Sequence, residues 1–193
     1  MRYCTECGSP LEFRIPENDN MPRHVCSECG HIHYQNPKVV AGCIVEWEEG
    51  LLLCRRAIEP RRGYWTLPAG FLENGESTSE GAMRETVEEA CAEVDDPKLF
   101  SLINVPRINQ IHMFYRANPR GRHFAPGAET LETALFREQD IPWKELAFPT
   151  VFHTVMLYLQ DRARGSFGLH TFDLGEDAWK LMQEKMKELS AGQ

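Results

Sequence analysis

Residues 70–92 read GFLENGESTSEGAMRETVEEACA, and the division of this stretch decides the fold. Its first part, through Glu76, is punctuated by glycine and has no apolar period, so it reads as a loop. Ser77 and Glu80 then form a capping box, in which the hydroxyl takes an orphan helix N–H and the glutamate reaches back to the serine backbone. A helix is therefore predicted from near Ser77 to about Glu93, stopped by a turn at Asp95-Asp96-Pro97. At about 100° per residue, Glu85, Glu88 and Glu89 share one face of it. Met83, Val87, Ala90, Cys91 and Val94 are assigned to the opposite face, packed on a sheet. Three carboxylates crowded on one side repel unless cations lie between them. The alternative is a solvated acidic helix face.

Strand signals flank this loop and helix. KVVAGCIVEW (38–47) is β-branched, Glu48–Gly50 is a turn signal, and LLLCRR (51–56) follows, which predicts a hairpin. LFSLINV (99–105) and INQIHMFYRA (108–117) read as two further strands, and ETALF (132–136) as the last. TVFHTVMLYLQDRAR (150–164) carries Phe152, Val155, Met156 and Leu159 at helical spacing, and a charged helix is expected over roughly 175–190. Cys43 and Cys54 lie inside strand patterns and read as small buried hydrophobes.

Upstream, Cys4-Thr-Glu-Cys7 and Cys26-Ser-Glu-Cys29 are separated by 18 residues. Two such turns present four thiolates to one ion, the closed tetrahedral arrangement of a structural zinc site with no open position for chemistry. Gly8 and Gly30 follow each pair, where a tight knuckle needs a permissive backbone. His31 and His33 lie close by, but four thiolates already fill the shell. The intervening IPENDNMP cannot build an apolar core, so something else has to hold residues 1–36 together; the alternative to zinc is two disulfides or free thiols. That segment sets Arg2, Arg14 and Arg23 against Glu6, Glu12, Glu17, Asp19 and Glu28, a poor surface for tracking phosphates.

The 193-residue chain has a net charge of −8, which argues against nucleic acid as a partner through the overall field. An anionic substrate remains compatible if divalent cations bridge it to carboxylates. No apolar run reaches the roughly 18–20 residues needed to span a membrane, and the start shows no signal pattern, so a cytoplasmic location is expected.

Residues 70–92 resemble the Nudix signature, with Gly70, Glu76, Arg84, Glu85, Glu88 and Glu89 in register. Thr86, Cys91 and Ala92 depart from it at positions that orient and pack the helix. The resemblance implies an α+β fold, an α/β/α sandwich with a mixed sheet, preceded here by a small zinc ribbon. The expected domains are a ribbon at 1–36, a hydrolase domain at 37–165 and a C-terminal helical extension at 166–193. It also implies hydrolysis of a nucleoside diphosphate derivative by water attack on phosphorus, with Mg²⁺ (or Mn²⁺) on Glu85, Glu88 and Glu89. Arg84 would orient Glu85 and Glu88. The general base is Glu88 or Glu89, or else Glu129 or Glu132 from the loop before the last strand. Glu132 matches a position that ligates metal in some zinc-bearing relatives.

HYQNPKVVAGCIVE, LLLCRRAIEP, GYWTLPAGFLENGES and HFAPGAETLETALF are similar to the FAD/ADP-ribose pyrophosphatases of plant plastids and their bacterial relatives. ADP-ribose or FAD is therefore the expected substrate, and a homodimer the expected assembly. The alternatives are an NADH or NAD-cap pyrophosphatase, whose SQPWPFP-type motif is missing from SLINVPRINQIH, an RNA-end pyrophosphatase, and a non-catalytic nucleotide-sensing regulator. Arg55, Trp65, Gly70 and Glu129 are the expected substrate-binding residues. Trp65 and Tyr64 could stack on a base, or Trp65 could be a packing residue. Arg55 and Arg56 alternate to opposite faces of their strand, so only one is placed to reach a phosphate.

Overall fold

The computed structural model describes residues 1–191, which divide after Pro37 into two compact units. In the first, β1 (Leu11–Arg14), β2 (Arg23–Cys26) and β3 (Ile32–His33) form a three-stranded antiparallel sheet in that order. Strands this short carry little alternation, and none was foreseen. Gly8 and Gly30 close the two cysteine turns at φ +75° and +72°, donating to the carbonyls of Cys4 and Cys26.

The second unit is a helix–sheet–helix sandwich. Its strands are β4 (Lys38–Trp47), β5 (Gly50–Arg56), β6 (Trp65–Thr66), β7 (Ala69–Phe71), β8 (Val94–Val105), β9 (Gln110–Pro119), β10 (Thr130–Arg137) and β11 (His170–Asp173). The main path runs β10-β5-β4-β9-β8-β11, with β6 on β5 and β7 on β4. The sheet is mixed: β4 pairs parallel with β9 and β8 with β11, while the other pairs are antiparallel. Alternation along the strands sorts the core. Ile44, Leu51, Leu53 and Phe114 face α2 (Pro149–Arg164) and α3 (Ala178–Ala191). Cys43, Val45, Leu52, Cys54 and Tyr115 face α1 (Thr78–Ala90). Both strand cysteines are fully buried, and burial pushes the Cys43 thiol up to about 11. No helix among the described residues is long and apolar enough to cross a membrane.

Several expectations are corrected. Ser77 does cap α1 through both arms of the capping box, but the helix ends at Ala90, because Cys91 turns left-handed at φ 50°. Asp95–Pro97 is no turn; it is an irregular stretch inside β8. The packed face of α1 is Gly81, Ala82, Thr86, Glu89 and Ala90, while Val87 is 44% exposed. The helix is thus rotated so that small residues meet the sheet, and the departure at Thr86 fits, its hydroxyl donating to the Ala82 carbonyl. β11 was missed because four residues of mixed polarity carry no period. It joins the segment from 166 onward to the main sheet, and α3 adds Ala178 and Met182 to the core. Residues 192–193, the end of the expected C-terminal extension, lie outside the described residues.

Candidate active site and cysteine metal centre

α1 is entered from the loop that follows β7, and Arg84 binds loop and helix together. Its Nε and NH2 donate to the two carboxylate oxygens of Glu76 at 3.0 and 2.8 Å, and NH2 also reaches the Phe71 carbonyl at 3.1 Å. NH1 holds Glu85 at 2.8 Å and Glu88 at 3.0 Å. Glu76 further accepts from the Glu73 backbone N–H. These bonds, Arg84 first, pull the Glu76 carboxyl down to about 2 and push the guanidinium up. Sequence reasoning placed Glu76 in register without giving it this anchoring role; its signal was the eight-residue spacing to Arg84.

Glu85, Glu88 and Glu89 differ in setting although they share a helix face. Glu88 is exposed, Glu85 is half-buried, and Glu89 is only 7% exposed, accepting the Ala69 N–H at 3.0 Å. Burial is the main reason the Glu89 carboxyl rises to about 7; the Ala69 bond and the Arg56 charge oppose it, and Glu85 and Glu129 add repulsion. Burial likewise raises Glu85, with Glu88 and Glu129 adding to it. Burial and acidic neighbours together outweigh the Ala69 bond and the Arg56 charge, leaving the anion undercompensated, which is the chemistry of a cation site. Gly70 leaves room for the Glu85 carboxyl, since a Cβ there would lie 2.3 Å from its carboxyl carbon and push that flexible end aside.

The loop before β10 closes over the far end of α1. Ala125 and Gly127 donate to the carbonyls of Ala90 and Glu89, and a Cβ on Gly127 would lie 1.6 Å from the Glu88 carbonyl oxygen. This docking brings Glu129 into the field of Glu85 and Glu89. Glu132 instead sits beside Arg55, with NH1 at 3.5 Å, and Arg55 Nε donates to the Gly63 carbonyl. Trp65 is 6% exposed and packs edge-on against Phe136 at 4.8 Å, so the packing alternative describes its ring. The structure therefore gathers Glu76, Arg84, Glu85, Glu88, Glu89, Gly70 and Glu129, and places Arg55 and Glu132 together on the edge pair β5–β10.

In the N-terminal unit the four cysteine sulfurs lie within 4.8 Å of one another. Cys4 and Cys29 are 3.7 Å apart and Cys7 and Cys26 3.4 Å, against about 3.8 Å for the edge of a tetrahedron with zinc–sulfur bonds near 2.3 Å. The N–H groups of Glu6 and Cys29 point at the sulfurs of Cys4 and Cys26, and His33 Nε2 lies 3.4 Å from Cys4 Sγ. His33 therefore stands beside a thiol as a hydrogen-bonding neighbour, and the cysteine cluster suits one metal ion.

Residues 2–35 match the zinc-ribbon model described as Nudix N-terminal, and residues 36–154 match the NUDIX domain model. A crystal structure of a NUDIX hydrolase from Nitrosomonas europaea is 47% identical, with a TM-score of 0.85, covering 90% of this chain and 100% of that one. The NAD-capped RNA hydrolase NudC of Stutzerimonas stutzeri is 29% identical over 83% of this chain, which spans 57% of that protein's length. The ADP-ribose pyrophosphatase of Methanocaldococcus jannaschii is 31% identical over 60% of this chain and 69% of its own length.

Proposed function

The chain belongs to the Nudix family, and on that premise we propose that it hydrolyses the pyrophosphate bond of ADP-ribose, FAD or both, releasing AMP and the distal phosphate. The observation that carries this reading is the Arg84 network, which presents Glu85 and Glu88 beside a buried, undercompensated Glu89. We assign Glu85, Glu88 and Glu89 as the residues that would hold Mg²⁺ (or Mn²⁺). Bound there, the ion would neutralise charge on the phosphoryl oxygens and acidify water. Arg84 fixes two of the carboxylates before substrate arrives, so their geometry costs nothing at the moment of reaction. Glu129 is our choice of general base: it is exposed, it feels both Glu85 and Glu89, and Glu132 is engaged by Arg55.

The four cysteines would hold a structural zinc ion. The M. jannaschii relative's pyrophosphatase name favours ADP-ribose; the NudC relatives favour a second reading, an NAD-type cap on RNA. We further propose that the chain works as a homodimer in the cytoplasm. The direct test of substrate is product analysis with Mg²⁺: AMP with ribose 5-phosphate, or with FMN, supports the first reading. Faster release of reduced nicotinamide mononucleotide from NADH, or of nicotinamide mononucleotide from NAD-capped RNA, supports the second.

A further inference from the structure

Each sulfur of the cysteine centre is met by hydrogen-bond donors, and most of these come with the turn. The backbone N–H groups of Glu6 and Cys29 point at the sulfurs of Cys4 and Cys26, both at 3.4 Å. Those of Ser9 and His31 point at Cys7 and Cys29. Any residue in the same turn supplies such an N–H, so these donors involve no choice of side chain. Two donors do involve one: the Ser9 hydroxyl on Cys7 and the His33 ring on Cys4. Ser9 belongs to the same turn as its sulfur, whereas His33 is 29 residues from Cys4 and arrives from β3.

The His33 contact has a direction. A cysteine binds metal as a thiolate, which only accepts, so the Nε2 that lies 3.4 Å from Cys4 Sγ has to carry the hydrogen. The ring is held in place for this. It meets His31 edge-on at 4.6 Å, and His33 stands opposite His24 in the β2–β3 ladder, whose ring in turn packs on Phe13 at 5.0 Å. Cys4 is only 4% exposed, which leaves little room for water to make the same bond. Four thiolates and one divalent ion would leave two negative charges in a unit that already sets five acidic side chains against three arginines. A neutral imidazole N–H takes up part of that charge at the sulfur itself. β3 has little else to hold it: it is Ile32 and His33 alone, paired with Val25 and His24, with the Cys26 N–H donating to the His31 carbonyl just before it.

We propose that His33 is the outer positioning residue of the metal centre: its Nε2–H bond to Cys4 strengthens the hold on the ion, and through that bond metal occupancy orders β3 and the segment leading to Pro37. This rests on the reading of the four cysteines as a zinc site and not on the pyrophosphatase reading. Outer hydrogen bonds to a ligand atom fix its orientation and offset its charge, and losing one typically costs about 10- to 100-fold in metal affinity.

The test uses the full chain loaded with zinc. His33→Phe keeps a ring against His31 but has no donor, and His33→Gln keeps an N–H at about the same reach. Transfer of zinc to a chelating dye is expected to run about tenfold or more faster from His33→Phe than from wild type, with His33→Gln recovering most of the difference. Hydrogen exchange should accelerate over residues 31–36 in zinc-loaded His33→Phe and stay unchanged over β4. The Co²⁺-substituted proteins should all show four thiolate ligands, with the sulfur-to-metal charge-transfer band displaced in His33→Phe alone. Equal zinc release from wild type and His33→Phe overturns the hold on the ion, and equal exchange overturns the ordering of β3. Release from His33→Gln as fast as from His33→Phe assigns the effect to ring packing and overturns the role of the bond. A wild-type Co²⁺ spectrum with three thiolates makes His33 a ligand and overturns its outer position. A wild-type chain that takes up no zinc overturns the metal reading and this proposal together, whereas zinc held equally by wild type and His33→Phe leaves the metal reading standing and removes His33 alone.

Discussion

Arg84 holds Glu76 through a two-pronged ion pair, Nε to Oε2 at 3.0 Å and NH2 to Oε1 at 2.8 Å, while its remaining nitrogen spans Glu85 and Glu88. One guanidinium thus ties the entry loop to the acidic face of α1. Glu76 holds its proton far less tightly in the folded protein than in the unfolded chain, at about 2 against an ordinary 4.5. A depressed carboxylate contributes stability that is present above about pH 4.5 and is lost as pH falls towards 2. Glu76→Gln should therefore lower the melting temperature at pH 7 and flatten its decline between pH 4.5 and 2. Parallel acid limbs in wild type and variant would remove the anchoring role.

Glu89→Gln keeps the carbonyl that accepts from Ala69 but removes a buried charge. Activity should fall by about 100-fold or more, while the melting temperature without divalent ions holds or rises, because an undercompensated buried anion destabilises the fold. Added Mg²⁺ should raise the wild-type melting temperature more than that of the variant. Near-normal turnover would show that Glu89 is not in the metal site.

Gly70→Ala places a Cβ against the flexible end of Glu85. The side chain can swing away, so the fold should survive with a small change in melting temperature while kcat drops at least about tenfold. Gly127→Ala meets backbone at the Glu88 carbonyl, so it should lower stability as well as activity. Thermal melts set beside initial rates separate the two.

In the N-terminal unit, metal analysis should find about one zinc per chain, and Cys26→Ser or prolonged chelation should expose residues 1–37 to protease while β4 to α3 remain resistant. Disulfides between these cysteines, or full protease resistance after zinc removal, would contradict a structural metal.

Much of the site was legible in sequence because it is local. Ser77 to Glu89 is a single capped helix, and Arg84 reaches Glu85 and Glu88 at helical spacing. Long-range placement was less legible. The burial of Glu89 depends on how α1 rolls on the sheet, which Thr86 and Ala82 set by being small. The rule of apolar spacing assigned Val87 inward, but close packing favoured the small face. Trp65 could not be placed from its own loop, since its partner Phe136 is 71 residues away on β10. β11 escaped because its pairing with β8 is parallel and links segments far apart in the chain.

The homodimer is checked by light scattering at micromolar concentration. A mass near twice the 22.2 kDa of one chain is expected, and a monomeric mass would contradict it.

The most direct test of the substrate reading is a kinetic panel with Mg²⁺ over ADP-ribose, FAD, NADH, an NAD-capped RNA and a nucleoside triphosphate. The account predicts the highest kcat/KM for ADP-ribose or FAD, with AMP among the products. A kcat/KM for NADH, the capped RNA or the triphosphate more than tenfold above both, about 1.4 kcal/mol of transition-state preference, would contradict it.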